Sequence, residues 1–565
     1  MSQLFVLVRP PLIGGLLLTL AACSGPHSEQ STTAPAVTPS APASEAPRTQ
    51  PMAKAAVHAE YAARQVQSVL AAAPLADALA PGYRDVYREQ YQRLADNPVQ
   101  AVAEAPVSTF SLDVDTGSYA NVRRFLNDGR LPPAEAVRLE ELVNYFPYAY
   151  PLPQGDTPFG VGTELAQTPW NPNSRLLRVA IKASDSSVER LPPANLVFLV
   201  DVSGSMDRRE GLPLVQSTLK LLVEQLRAED KVALVVYAGE SRVVLEPTSG
   251  KDKAKIRAAI EQLRAGGSTA GESGIQLAYQ QAQQGFIAGG INRILLATDG
   301  DFNVGISDFD SLKQLAADKR SSGVSLTTLG FGTDNYNERL MEQLADAGDG
   351  NYAYIDNLRE ARKVLVDQLA STLAVVAKDV KVQVEFNPAQ VSEYRLLGYE
   401  NRALRREDFS NDKVDAGEIG AGHTVTALYE IVPVGAKGWL EPLRYRAPAP
   451  QAKPGDELAL LRIRYKAPQQ SSSRLLEVPI KAGQVQPLAQ ASADLRFATA
   501  VAAFAQQLKG GQYTGAFGLA NTAALARGAK GEDRFGLRGE FVQLVELAAS
   551  LQTPALAPPA TAKVD

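Results

Sequence analysis

The sequence predicts an α/β fold, a doubly wound and mainly parallel Rossmann-like sheet flanked by a β-rich α+β region. Three observations carry this. Between residues 195 and 377, short apolar runs alternate with amphipathic segments, the order that builds a sheet covered by helices. Residues 196–200 and 294–297 are continuous apolar runs, as central strands buried on both faces require. Beyond Lys378 the apolar period changes to two, with Val380, Val382, Val384 and Phe386 alternating, the pattern of strands with one face on a core.

The first elements are an address. Residues 1–22 read as a secretory signal: Arg9 supplies positive charge and residues 10–20 are apolar, ending in small side chains. The stretch is shorter than the roughly 20 residues of a spanning helix. It closes on Leu20-Ala21-Ala22-Cys23, which resembles the bacterial lipobox. That resemblance implies a diacylglyceryl group on Cys23, cleavage before it and acylation of the new amine. Several acyl chains, at about 0.8 kcal/mol per buried CH₂, make a lasting anchor. Ser24 stands where lipoproteins retained in the inner membrane commonly carry Asp. The implied location is the cell envelope, at the outer membrane, facing the periplasm or the cell surface. Cys23 is the sole cysteine, so the folded parts hold together without disulfides.

Residues 23–52, rich in Ser, Thr, Ala and Pro, read as a disordered tether, and 53–107 as a helical extension, whose alanine-rich stretch 53–79 is either a loosely docked helix or a continuation of the tether. An N-terminal region follows over 108–193. In it, 109–115 alternates like a strand, 118–127 and 134–145 read as short helices, and 175–183 as another strand. The α/β domain spans 194–377. Its strands are 196–200, 232–237, 243–245, 294–297, 324–329 and 352–355, the second and third forming a hairpin. Its helices are 212–226, 253–263, 274–284, 309–319, 338–347 and 358–374. A third region, 378–551, is β-rich and then helical, with helices at 494–508 and 535–551. Residues 552–565 are a disordered Pro/Ala-rich tail. Strand 175–183 is expected to pair with strands beyond the α/β domain, which would make that domain an insertion in a β-rich base.

Composition excludes some functions. The chain has 45% apolar and 21% charged residues and a net charge of -5, with no basic stripe of the kind nucleic acid requires. Arg402, Arg405 and Arg406 are interleaved with Glu400, Glu407 and Asp408 and read as a solvated charged loop. The only histidines are His27, His58 and His423. A zinc cage of Cys and His is excluded by inventory, and a Ser–His–Asp mechanism would rest on His423 alone.

The chemistry lies at strand ends. Asp201-Val-Ser203-Gly-Ser205 follows the first apolar run directly, Gly266-Gly267-Ser268-Thr269 precedes a helix, and Asp299-Gly300 ends another apolar run. An open parallel sheet presents ligands at such carboxyl ends. Singly, each piece has an ordinary role as a cap or a turn; together and in this order they form a site. Asp-x-Ser-x-Ser, then Thr, then Asp-Gly resembles the metal-ion-dependent adhesion site of von Willebrand A domains. The resemblance implies that Ser203, Ser205 and Thr269 bind the metal through hydroxyls, with Asp201 and Asp299 completing the shell directly or through water. Oxygen-only ligation suits Mg²⁺ first, with Mn²⁺ or Ca²⁺ possible. Neutral hydroxyls leave the ion electrophilic, ready for an acidic side chain of a protein partner.

Two further motifs carry less. Asp113-Val-Asp115-Thr-Gly-Ser118 lacks matching Thr and Asp-Gly partners and reads as structural. Gly330-Phe-Gly332-Thr-Asp334 lacks the third glycine and following helix of a dinucleotide loop. Residues 108–120 and 142–147 resemble the region before the A domain in a group of uncharacterised bacterial proteins. Residues 395–402, with Asp408-Phe409 and 417–420, resemble that group's C-terminal domain of unknown function. The expected function is a cell-envelope lipoprotein that docks a protein partner through its metal, with no enzyme activity, nucleic acid or small-molecule substrate. The alternatives are a surface adhesin for a host or matrix ligand and a metal-dependent hydrolase.

Overall fold

The computed structural model describes residues 89–552 except 114, 187–189, 269–270, 301–308, 334–335, 415, 442, 446–454, 469 and 484. The signal, Cys23 and its tether, most of the helical extension, Thr269 and the tail beyond 552 lie outside the described residues.

The N-terminal region supplies β1 (Gln100–Ala101), β2 (Val107–Ser111), α1 (Gly117–Asn127), α2 (Leu139–Asn144), β3 (Phe159–Gln167) and β4 (Arg175–Ala183). The helix expected over 134–145 is interrupted. A 3₁₀ turn at Ala134–Ala136 gives way to extended backbone at Val137 and Arg138 before α2 begins. Ser118 fixes this break, its hydroxyl donating to the Ala136 carbonyl and accepting from the Arg138 amide.

The inserted domain contains β5 (Ala194–Asp201), α3 (Leu212–Gln225), β6 (Lys231–Tyr237), β7 (Ser241–Ser249), α4 (Lys253–Glu261), α5 (Gly271–Gln284), β8 (Ile291–Thr298), α6 (Phe309–Arg320), β9 (Ser325–Gly330), α7 (Glu338–Ala347) and β10 (Tyr352–Tyr354). The sheet order is β10-β9-β8-β5-β6-β7, parallel except for the β6–β7 hairpin. β5 shows why its sequence is apolar throughout. Leu196, Phe198 and Val200 enter one core with α3 and α4, while Val197 and Leu199 enter the other with α5 and α7. β7 runs well past the expected 243–245 because it is a half-exposed edge strand, where polar residues interrupt the apolar signal. The last helix is also broken, into α8 (Leu358–Arg362), a π turn at Lys363–Asp367 and α9 (Leu369–Leu373).

The base is completed by β11 (Val375–Phe386), β12 (Val391–Leu397), β13 (Ile419–Gly420), β14 (Thr424–Pro433), β15 (Glu457–Lys466), β16 (Ser473–Lys481), α10 (Ala493–Leu508), α11 (Leu519–Arg527) and α12 (Leu537–Gln552). One antiparallel sheet runs β1-β12-β14-β4-β3; the other runs β13-β11-β15-β16, with β2 also on β11. Val179 and Ile181 of β4 meet Val382 and Val384 of β11 in the core between the sheets. The opposite face of the first sheet, with Leu176, Ala180 and Leu428, packs against α2 and the three C-terminal helices. β4 pairs with β14 from Arg175 against Ile431 to Lys182 against Thr424. Strands from before and after the α/β domain therefore share one sheet, and the domain is an insertion between them. Among the described residues no helix is long and apolar enough to cross a membrane.

Candidate functional site

Three neighbouring strands, β6, β5 and β8, end together, and their last residues meet. Asp201, the last residue of β5, is fully buried. Its Oδ1 accepts the Ser203 amide at 2.9 Å, and its Oδ2 accepts the hydroxyls of Thr298 at 2.9 Å and Tyr237 at 3.2 Å. Thr298 and Tyr237 end β8 and β6. Thr298 Oγ1 also accepts the Gly300 amide at 3.0 Å, which sets the turn that carries the buried Asp299. Gly300 has φ +82°, and a Cβ there would lie 2.9 Å from the Asn337 nitrogen, so only glycine fits. Burial, reinforced by the neighbouring Asp299 charge, pushes the Asp201 carboxyl up to about 6.

The hydroxyls of Ser203 and Ser205 lie 3.0 Å apart. The glycine-rich loop is seated on this turn by two backbone bonds, Gly204 N to Gly267 O at 3.1 Å and Gly266 N to Val202 O at 2.8 Å. Thr269, two residues on, lies outside the described residues. Arg208 reaches the same place: its guanidinium is 3.8 Å from Asp299 Oδ2 and donates to the carbonyls of Ser205 and Thr333 at 2.6 Å.

The donor set suits a small hard cation. Adjacent ligands on an octahedron with metal–oxygen distances of about 2.1 Å stand about 3.0 Å apart, the separation of the two serine hydroxyls. All the described donors are oxygens, and the Asp201 carboxylate is held by three bonds rather than left to rotate. The sequence reading did not single out Tyr237, Thr298 or Arg208. Two signals were available, since Tyr237 ends a strand beside β5 and Thr298 immediately precedes Asp299. Nothing in the sequence marks Arg208.

The motif at Asp113 and Asp115 has another use. Together with Asp346, these carboxylates lie within the spacing a metal needs, but the Arg402 guanidinium already stands among them. It lies 3.2 Å from Asp113, 3.0 Å from Asp115, 3.1 Å from Glu342 and 2.7 Å from Asp346. Arg402 is therefore a largely buried tie between all three parts of the chain, not part of a solvated loop, because four acidic side chains offset its desolvation. Arg405, in contrast, is exposed and pairs with Glu407 and Asp408. The loop at Gly332 belongs to the wall of the candidate site: its amide donates to the Glu210 carbonyl, and a Cβ there would lie 3.4 Å from Asp299 Cβ.

Comparison with known proteins agrees with this division. The model described as von Willebrand factor type A domain matches residues 195–368. One described as von Willebrand factor matches 85–178, and one described as Uncharacterized protein YfbK, C-terminal, matches 371–551. The chain is 34% identical over 191 residues to Uncharacterized protein sll0103 of Synechocystis, covering 34% of this chain and 44% of that one. A solved von Willebrand factor type A protein from Catenulispora acidiphila is 16% identical with a TM-score of 0.38, covering 68% of this chain and 90% of that one. Uncharacterized protein YfbK of Escherichia coli is 53% identical over 468 residues, 81% of each chain. An A domain of this kind points to protein interaction or metal binding, and at that identity and coverage the chain belongs to the YfbK family, with a von Willebrand A domain set before the family's own C-terminal domain.

Proposed function

We propose that this chain is a lipid-anchored protein of the cell envelope that docks a protein partner through a divalent cation, Mg²⁺ first, with Mn²⁺ or Ca²⁺ as substitutes. The observation that carries the reading is the pair of serine hydroxyls 3.0 Å apart beside the buried Asp201. Ser203, Ser205 and Thr269 would hold the cation, with Asp201 and Asp299 supplying negative charge directly or through water. When bound, the cation supplies a Lewis-acidic position for an acidic side chain of the partner. Tyr237 and Thr298 keep Asp201 from turning away, and Gly300 lets Asp299 approach.

The reading is of a binding module, not an enzyme. Asp201 is committed to three hydrogen bonds, and His423 lines a different cavity. The lipid anchor rests on Cys23 and the residues before it. Two measurements test the proposal together. Isothermal titration with Mg²⁺ should give one site in the native sequence and none in Asp201→Ala. Capture from envelope extract should then yield a partner in Mg²⁺ that is lost both in chelator and in Asp201→Ala. A partner retained under both conditions would refute metal-dependent docking, and protease access in intact cells distinguishes a periplasmic partner from a ligand outside the cell.

A further inference from the structure

The connection from β14 to β15, residues 434–456, is longer than the ~12–15 residues beyond which a loop is usually functional. Ten large apolar side chains stand exposed among the described residues, and four of them, Val434, Leu440, Leu443 and Tyr445, fall within the first half of this connection. A single exposed leucine needs no explanation; four such side chains so close together do. Leu443 is 59% exposed and Tyr445 92%.

The root of the loop is fixed to the base. Glu393 of β12, itself buried, accepts the Trp439 amide at 2.8 Å and the Leu440 amide at 3.3 Å. A Cβ on Gly438 would collide with the same carboxylate. The Trp439 ring meets Tyr513 edge-on, with centroids 6.4 Å apart. The backbone is thus held up to Leu440, whose side chain is 44% exposed. Lys437 and Arg444 flank the apolar side chains. Both are exposed, and among the described residues neither has an ion-pair partner. By sequence the connection carries Lys437, Arg444, Arg446 and Lys453 against Glu441 and Asp456, and Asp456 pairs with Lys481. The segment is therefore cationic in a chain whose net charge is -5.

Apolar side chains with a tyrosine at the tip, a tryptophan at the root and unpaired cations alongside make up the composition of a bilayer interface. There, cationic stems lie on apolar surface while their heads reach the lipid phosphates. The core of a protein interface, in contrast, is depleted in lysine. We propose that this loop is a second membrane contact: Leu440, Leu443 and Tyr445 enter the interfacial layer of an anionic bilayer, and Lys437 and Arg444 meet its phosphates. The base then lies against the membrane instead of standing off it on the tether. The contact needs neither the divalent cation nor acyl chains on Cys23.

The test is flotation of the chain from residue 23, with Cys23→Ser to prevent acylation, with vesicles of phosphatidylethanolamine and phosphatidylglycerol in chelator. The chain should float with the vesicles. The combined variant Leu440→Ser, Leu443→Ser, Tyr445→Ser should lower its partitioning at least about tenfold. Lys437→Gln, Arg444→Gln should lower it several-fold and blunt its sensitivity to salt. Leu475→Ser removes a leucine of β16 that is likewise 44% exposed and should change nothing. All these side chains are exposed, so the variants keep the fold. Absence of flotation overturns the proposal, as does native-like flotation of the triple variant or an equal loss in Leu475→Ser. Loop-dependent capture of an envelope protein by a chain that does not float would assign the loop to a protein partner and overturn it too. Because the chain tested carries no acyl group, failure here leaves the Cys23 anchor standing, and an unacylated Cys23 in cells leaves this contact standing.

Discussion

The guanidinium of Arg123 grips the carboxylate of Asp356 through two bonds, at 2.8 and 2.5 Å, and so joins α1 to the segment that follows the last strand of the A domain. The same guanidinium reaches Glu360 at 2.8 Å, Glu540 of α12 at 3.0 Å and the Tyr145 hydroxyl at 2.9 Å. Arg123 is almost wholly buried, so its removal strands buried carboxylates that have lost their cation. Arg123→Met should destabilise the protein by roughly 3–5 kcal/mol, measured as a shift in the urea midpoint at constant slope. A loss below about 1 kcal/mol, the scale of an exposed pair, would mean that the cluster is open to water.

The acidic clusters on the other flank of the A domain make stability depend on pH. Burial, with Asp346 and Glu342 adding repulsion, pushes Asp113 up to about 8, and burial with Glu342 and Asp115 does the same for Glu338. Both folded-state values exceed the unfolded ones, so between about pH 4 and 8 the native state holds protons that the unfolded chain has released. Their contribution is fully present below pH 4 and is lost as pH rises through 8. The urea midpoint of Asp113→Asn, Glu338→Gln should therefore fall less than that of the native sequence between pH 5 and 9, and a parallel decline of the two would remove these groups as the cause.

Thr298 offers a test of the candidate metal centre without touching a ligand. Its hydroxyl donates to Asp201 and accepts from Gly300, so one side chain orients both acidic loops. Thr298→Val keeps the shape and removes the link. Mg²⁺ affinity should drop between about 10- and 100-fold, the usual effect of losing an outer-shell partner, while Ser203→Ala should lower it by removing a donor. Unchanged affinity in Thr298→Val would show that Asp201 is positioned without it.

These residues also mark what the sequence disclosed. The A domain was legible because parallel strands buried on both faces must be apolar throughout, and because the loops at their carboxyl ends carry short, specific motifs. The base was less so: β3 and α11 carry partly exposed faces whose periods are weak, and β12 buries Glu393 and Arg395 among its apolar residues. Arg402 was misread because composition alone shows a charged segment and not the four carboxylates, from distant parts of the chain, that surround it. Tyr237 and Thr298 act through a partner on a neighbouring strand, and a strand neighbour is a property of topology.

The insertion of the A domain into the base predicts how the protein comes apart. Two chain crossings join it to the base, from β4 into β5 and from α9 into β11. Arg123, Arg402 and the bond from the Tyr352 amide to Asp115 add side-chain ties. Because each arginine bridges acids on both sides of the boundary, the A domain and base should unfold together in one calorimetric transition. In Arg123→Met, Arg402→Met both bridges are gone while each core keeps its own packing, since the four apolar clusters contain neither arginine. The doubly substituted protein should then melt in two transitions, and limited proteolysis should yield an A-domain fragment that the native sequence does not release. A single transition at lowered temperature would instead place the coupling in the strands and helices that cross the boundary, with the arginines adding only stability.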